Sequence, residues 1–192
     1  LGHSVKVGDV IVFGNKNWSN SWRVLAVEDT RVLLITERVV DTMVFNGLPR
    51  GDSQRPLDVH AFYADKSVDS KPVRTDNLWD KSDMKKFLNN DYYINEFNDH
   101  DKALIHDYGF GKVFLLSSEE AKEYFYGVND RAADFTGSST TWWLRSSITY
   151  GYTEYVACVD SYGRVVDEFD DRVGINTASR VGVRPAVWLK IK

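Results

Sequence analysis

Trp143, Arg145, Tyr150, Tyr152 and Tyr162 gather aromatic rings and a guanidinium into one short stretch of a 192-residue chain, with Asp167 close behind. Rings flanked by polar groups stack on the apolar faces of sugars and anchor protein partners, so these six residues read as a ligand-binding surface. Adjacent residues of a strand face opposite ways, so at least one of Trp142 and Trp143 belongs to the core. The loop tyrosines stand open to both roles. Arg145 and Arg184 each sit among apolar strand residues. A guanidinium there either grips a carboxylate or phosphate of a ligand or fixes one strand to another by pairing with a structural Asp, and the internal role is the expected one.

Other chemistries find less support. Asp167, Glu168, Asp170 and Asp171 offer hard oxygens, and Asp170 and Asp171 are the candidate Ca²⁺ ligands, but the spacing is not that of an EF-hand loop. Of the four histidines, His100 and His106 fall on different faces of a helix, unlike a zinc pair. The single cysteine, Cys158, excludes an internal disulfide and a Cys-rich zinc site, and an apolar strand makes its thiol inert packing. No nucleophile elbow or phosphate-binding glycine loop is present, and no cofactor is expected. The main alternative is an enzyme, a carboxylate-based hydrolase using Asp160 and Asp167 with Arg145. Two carboxylates in contact with raised proton affinity would mark it. A structural module within a larger surface protein is a third reading.

Composition narrows the classes. Lys and Arg number 24 against 28 Asp and Glu, a net charge of −4, and the basic residues are scattered. That argues against nucleic acid, whose phosphates call for clustered cations. With 43% hydrophobic residues the chain can bury a core, and no run approaches the roughly 18–20 apolar residues of a membrane helix. The chain opens on Leu1 rather than Met, as a fragment or processed product would. The compartment leans to export or the cell surface, with the cytoplasm open; oligomeric state and ligand identity are not legible.

The elements that must position these residues are expected as follows. Trp22–Val27 and Arg31–Thr36 flank a polar turn and read as a hairpin, and residues 38–43 can extend as a further strand. A long loop or insertion occupies about 47–77, within one domain spanning 1–192. Helices are expected near 80–93, 99–107 and 118–126, with Asp80, Asn98 and Ser117 as N-caps and a capping box between Ser117 and Glu120. Lys112–Leu116 reads as a buried strand. A second hairpin turns at Ser161-Tyr162-Gly163, where Gly163 supplies positive φ. Val181–Ile191 reads as a last strand broken by Pro185, which belongs at an edge or bulge. The fold class is α+β, a twisted, mainly antiparallel sheet with two or three helices on one side, and the first and last β segments should share a layer.

Four blocks carry a resemblance: Val7-Gly8-Asp9-Val10-Ile11-Val12-Phe13-Gly14 with Trp22-Arg23-Val24-Leu25, Lys112–Phe125, Trp143-Leu144-Arg145-Ser146, and Gly182-Val183-Arg184-Pro185-Ala186-Val187-Trp188-Leu189. In this order they resemble a bacterial family of unknown function common in Gram-positive organisms. That family is distantly similar to the C-type-lectin-like and formylglycine-generating-enzyme-like fold. The resemblance implies a C-type-lectin-like arrangement. The expected function is a non-enzymatic module that presents loops around 143–152 and 160–172 to a saccharide or protein, because a rigid sheet holding aromatic loops suits recognition without matched acids and bases. Paired cysteines and the calcium-coordinating triplets of the lectins are absent, and Cys158 alone cannot perform the two-cysteine oxidase chemistry. Fold by itself assigns no activity.

Overall fold

The computed structural model describes residues 5–15, 20–47, 78–150, 153–167, 175–176 and 179–191. The loop expected at 47–77 lies, Gly47 apart, outside the described residues.

Strands β1 (Val10–Val12), β2 (Ser21–Val27) and β3 (Arg31–Thr36) form an antiparallel meander. The final strand, β12 (Ala186–Lys190), pairs with β3 from Ala186 opposite Ile35 to Lys190 opposite Arg31, giving the order β1-β2-β3-β12. The first and last β segments thus share a layer, as expected. Val32, Leu33, Leu34 and Ile35 are all fully buried. Such a run without alternation marks a strand covered on both faces.

One sheet was expected; the strands divide between two. The second contains β4 (Asp41–Met43), β7 (Trp142–Tyr150), β8 (Thr153–Val159), β9 (Val165–Val166), β10 (Ile175–Asn176) and β11 (Val181–Val183). Its order is β10-β8-β7-β11-β4, with β9 beside β8. Only β11 and β7 run parallel; the other pairs are antiparallel. Strands β5 (Ala133–Phe135) and β6 (Ser138–Thr140) make a separate ribbon.

The division has an identifiable cause. The chain crosses between sheets twice, after β3 at residues 37–40 and between β11 and β12 at Arg184-Pro185. Pro185 lacks the N–H a continuing ladder needs, and its carbonyl accepts from Thr36 N at 3.0 Å. Arg184, fully buried, joins the crossings by donating to the carbonyls of Thr36 (2.9 Å), Glu37 (3.2 Å) and Arg131 (3.1 Å). Its guanidinium also lies over the Trp142 and Phe125 rings. Burial pushes its pKa down to about 10. The internal role expected for Arg184 is therefore correct, but backbone carbonyls take the place of an acid.

The helical segments follow the periodicity with shifted ends. Trp79–Lys81 is a single 3₁₀ turn, and Asp80 pairs with Lys85 rather than capping. The cap is Ser82, whose hydroxyl accepts from Lys85 N at 3.0 Å. Helix α1, residues 83–96, comprises Asp83–Phe87, a π-helical turn Leu88–Tyr92, and Tyr93–Glu96. Its inner face buries Met84, Leu88 and Tyr92. Helix α2 (Asp99–Leu104) is capped by Asn98 as expected. Helix α3 (Ser118–Glu123) opens on the expected capping box. A short α4 (Val128–Arg131) was not anticipated. Residues 113–116 are buried, Lys112 is exposed, and in place of a strand there is only a bridge between Phe114 and Ala186.

Candidate functional site

Among the described residues of the expected surface, the turn between β8 and β9 forms an exposed aromatic feature. Asp160 builds it: one carboxylate oxygen accepts from the amides of Tyr162 and Arg164, each at 2.9 Å, and the other from Arg164 Nε at 2.7 Å. Gly163, with φ +81°, adopts the left-handed conformation expected of it and donates to the Asp160 carbonyl at 2.9 Å. These bonds hold Tyr162 outward, 72% exposed, with the Arg164 guanidinium 5.2 Å from its ring centre.

The turn rests on α4. Arg131 Nε donates to the Gly163 carbonyl at 2.9 Å, and the Arg131 carbonyl accepts from both Trp142 Nε1 and Arg184. The exposed turn is thereby connected to the core through one residue. Beside it lies Val128, and two residues earlier in the chain Tyr126 is 92% exposed. Sequence reasoning missed both. Tyr126 directly follows the buried Phe125 and precedes Gly127, so its removal from the buried helix face was the available signal.

The remaining site residues fall in different places. Trp143 is fully buried; its Nε1 donates to the Met43 carbonyl at 2.9 Å and its ring meets Phe45 edge-on. Trp142 is equally buried, so both indoles belong to the core. Arg145 makes a two-pronged contact with Glu120, 2.8 Å on one side, and also donates to the Leu115 carbonyl at 2.7 Å. Its guanidinium lies 3.9 Å from the Phe110 ring centre. This is the internal role expected of Arg145, with Glu120 of the capping box in place of the expected Asp. Asp167 pairs with Lys122 at 2.6 Å. Tyr150 stands opposite Thr153 at the start of β8, whereas Tyr162 follows its end, a strand length of roughly 20 Å away. Tyr152, Asp170 and Asp171 lie outside the described residues.

The carboxylates of the hydrolase reading are separately engaged, Asp160 with Arg164 and Asp167 with Lys122. Burial alone would raise the proton affinity of Asp160; the bonds from Arg164 and the turn amides outweigh it and lower the pKa. A proton-donating acid needs the opposite shift. Among the described residues no three His, Cys, Asp or Glu side chains converge as a metal site, and no described helix is long and apolar enough to cross a membrane.

Burial pushes the Cys158 thiol up to about 12 from 9.0, and it faces the interior of β8. The thiolate fraction at pH 8 should fall about a thousandfold below that of a free thiol. Alkylation by iodoacetamide should accordingly be negligible in the native protein and prompt in denaturant. Rapid native labelling would contradict the burial.

The architecture is that of an α+β domain of mainly antiparallel sheets, with an exposed aromatic turn between β8 and β9. Residues 29–191 match the family described as Domain of unknown function (DUF6273), which covers most of the chain, and the chain belongs to that family. No match was found among the curated proteins or the solved structures.

Proposed function

We propose that the domain is a non-enzymatic binding module that presents the Tyr162 turn, with Val128 beside it and the exposed Tyr126 two residues before Val128 in the chain, to a saccharide or protein partner. The observation that carries this reading is the rigid display of an exposed Tyr162 ring on a turn bonded to Asp160 and Arg131. A preorganised ring loses little entropy on binding. The adjoining Asp160–Arg164 pair supplies acceptors and donors suited to sugar hydroxyls. Bacterial origin, a C-type-lectin-like arrangement and display at a cell surface belong to the same proposal, supported by the four sequence blocks and by the closing strand that returns to the first hairpin.

Glycan-array and pull-down screens of the wild type, followed by Tyr162→Ala and Tyr126→Ala, test it. Loss of an exposed anchor ring should weaken binding at least about tenfold, equivalent to 1.4 kcal/mol or more. Binding that survives both changes would place the ligand elsewhere. Turnover of a bound glycan would instead establish the hydrolase reading.

A further inference from the structure

We propose that Tyr93, Lys102 and Lys112 form a binding site for a phosphate-type tetrahedral oxyanion, independent of the Tyr162 surface. Lys112 Nζ stands 4.6 Å from the Tyr93 ring centre and donates to its hydroxyl at 3.2 Å. Lys102 Nζ stands 5.5 Å from the same ring centre and donates to the Ile94 carbonyl at 3.1 Å. The two ammonium groups therefore lie within the sum of those distances of each other, although they come from separate segments of the chain.

The supporting frame is ordered. Tyr93 opens the last piece of α1 and packs against Phe97, with ring centres 6.0 Å apart. Lys102 sits on α2, whose N-cap Asn98 is bonded. The Asn89 side chain, on the π-helical turn, accepts from Lys112 N at 2.8 Å and donates to the carbonyls of Lys85 and Val113. A π-turn of this kind recurs at functional sites. Here it directs a side chain that clamps the Lys112 segment against α1.

The charge arrangement points to an anion. Lys85, Lys86 and Lys122 each pair with an aspartate. Among the described residues neither Lys102 nor Lys112 has a carboxylate partner, in a chain whose net charge is −4. Two cations around one ring repel, and a ring face attracts each without neutralising either. An anion bound by both would offset the repulsion. The Tyr93 hydroxyl accepts from Lys112 and keeps its own proton to donate. Two ammonium groups and a hydroxyl gathered at one ring suit the oxygens of a tetrahedral oxyanion, with the lysines acting as point charges.

Amide NMR titrations of the whole chain at constant ionic strength test this, with inorganic phosphate, glucose 6-phosphate and glucose as probes. Phosphate and glucose 6-phosphate should each give saturable shifts at residues 93–95, 102 and 112, and glucose none. Lys102→Met and Lys112→Met, which retain most of the stem, should each weaken phosphate about fivefold, and the pair should abolish it. Tyr93→Phe should weaken it while leaving the ring in place, so the test does not depend on the lysine variants. Tyr162→Ala should leave phosphate binding unchanged, which separates this site from the proposed ligand surface. Tighter binding of glucose 6-phosphate would assign a phosphate borne on a sugar, and equal binding a free one. Shifts that do not saturate, or that persist in the double lysine variant, would overturn the site.

Discussion

Replacing Glu120 with Ala should destabilise the fold by about 3–5 kcal/mol, the range expected when a buried ion pair loses one partner. The two side chains are only 10% and 18% exposed, so solvent screens them little. Glu120 serves two neighbours: it accepts from Ser117 N at 2.8 Å to complete the capping box, and it holds the Arg145 guanidinium. Without it Arg145 keeps the Leu115 carbonyl and the Phe110 ring but no counter-charge. Glu120→Gln should cost less, because an amide oxygen can still accept from Ser117 N. Combining Glu120→Ala with Arg145→Met should recover part of the loss, since no unpaired charge stays buried. Chemical denaturation of the four proteins provides the measurement. A Glu120→Ala loss below about 1 kcal/mol would mean that Arg145 finds another partner at no cost.

Gly163→Ala should destabilise the protein by about 3 kcal/mol, because two penalties coincide. A side chain at φ +81° costs about 1–2 kcal/mol by itself. A Cβ there would also lie 1.7 Å from the Val128 carbonyl oxygen and 2.7 Å from its carbon, so the turn must move off α4. That movement breaks the bond from Arg131 Nε to the Gly163 carbonyl and displaces Tyr162. Gly8→Ala is the control: its φ is +92°, but nothing lies within 4 Å of the added carbon, so only the conformational penalty should appear. Denaturation together with the Arg131 side-chain NMR signal reads both effects. Equal losses at the two glycines would show that the close approach to α4 carries no energy.

Much of this arrangement was legible from local chemistry. The capping box at Ser117 and Glu120, the Asn98 cap and the Gly163 turn are short-range: each depends on residues within a few positions, and each is present. Asp80 misled because two potential caps adjoin, and a 3₁₀ turn at Trp79–Lys81 delivers Ser82 to the helix start. The internal roles of Arg145 and Arg184 were also foreseeable, since apolar neighbours forbid an unpartnered charge. Their partners were not: Glu120 lies 25 residues from Arg145, and the Thr36 carbonyl 148 residues from Arg184.

From its amino acids alone the chain determined the Trp22–Val27 and Arg31–Thr36 hairpin, the Asn98 and Ser117 caps and its α+β character, because these follow from periodicity and from bonds between near neighbours. Tertiary contact decided which side chains reach solvent. Trp143 and Tyr162 are both aromatic residues near strand ends, yet one is enclosed between Phe45 and the Met43 carbonyl while the other is held outward by Asp160. The division into two sheets, the joining of their crossings by Arg184, and the convergence of Lys102 and Lys112 on Tyr93 likewise arise only when distant segments meet. Burial and charge proximity are properties of that meeting, and no single stretch of sequence contains them.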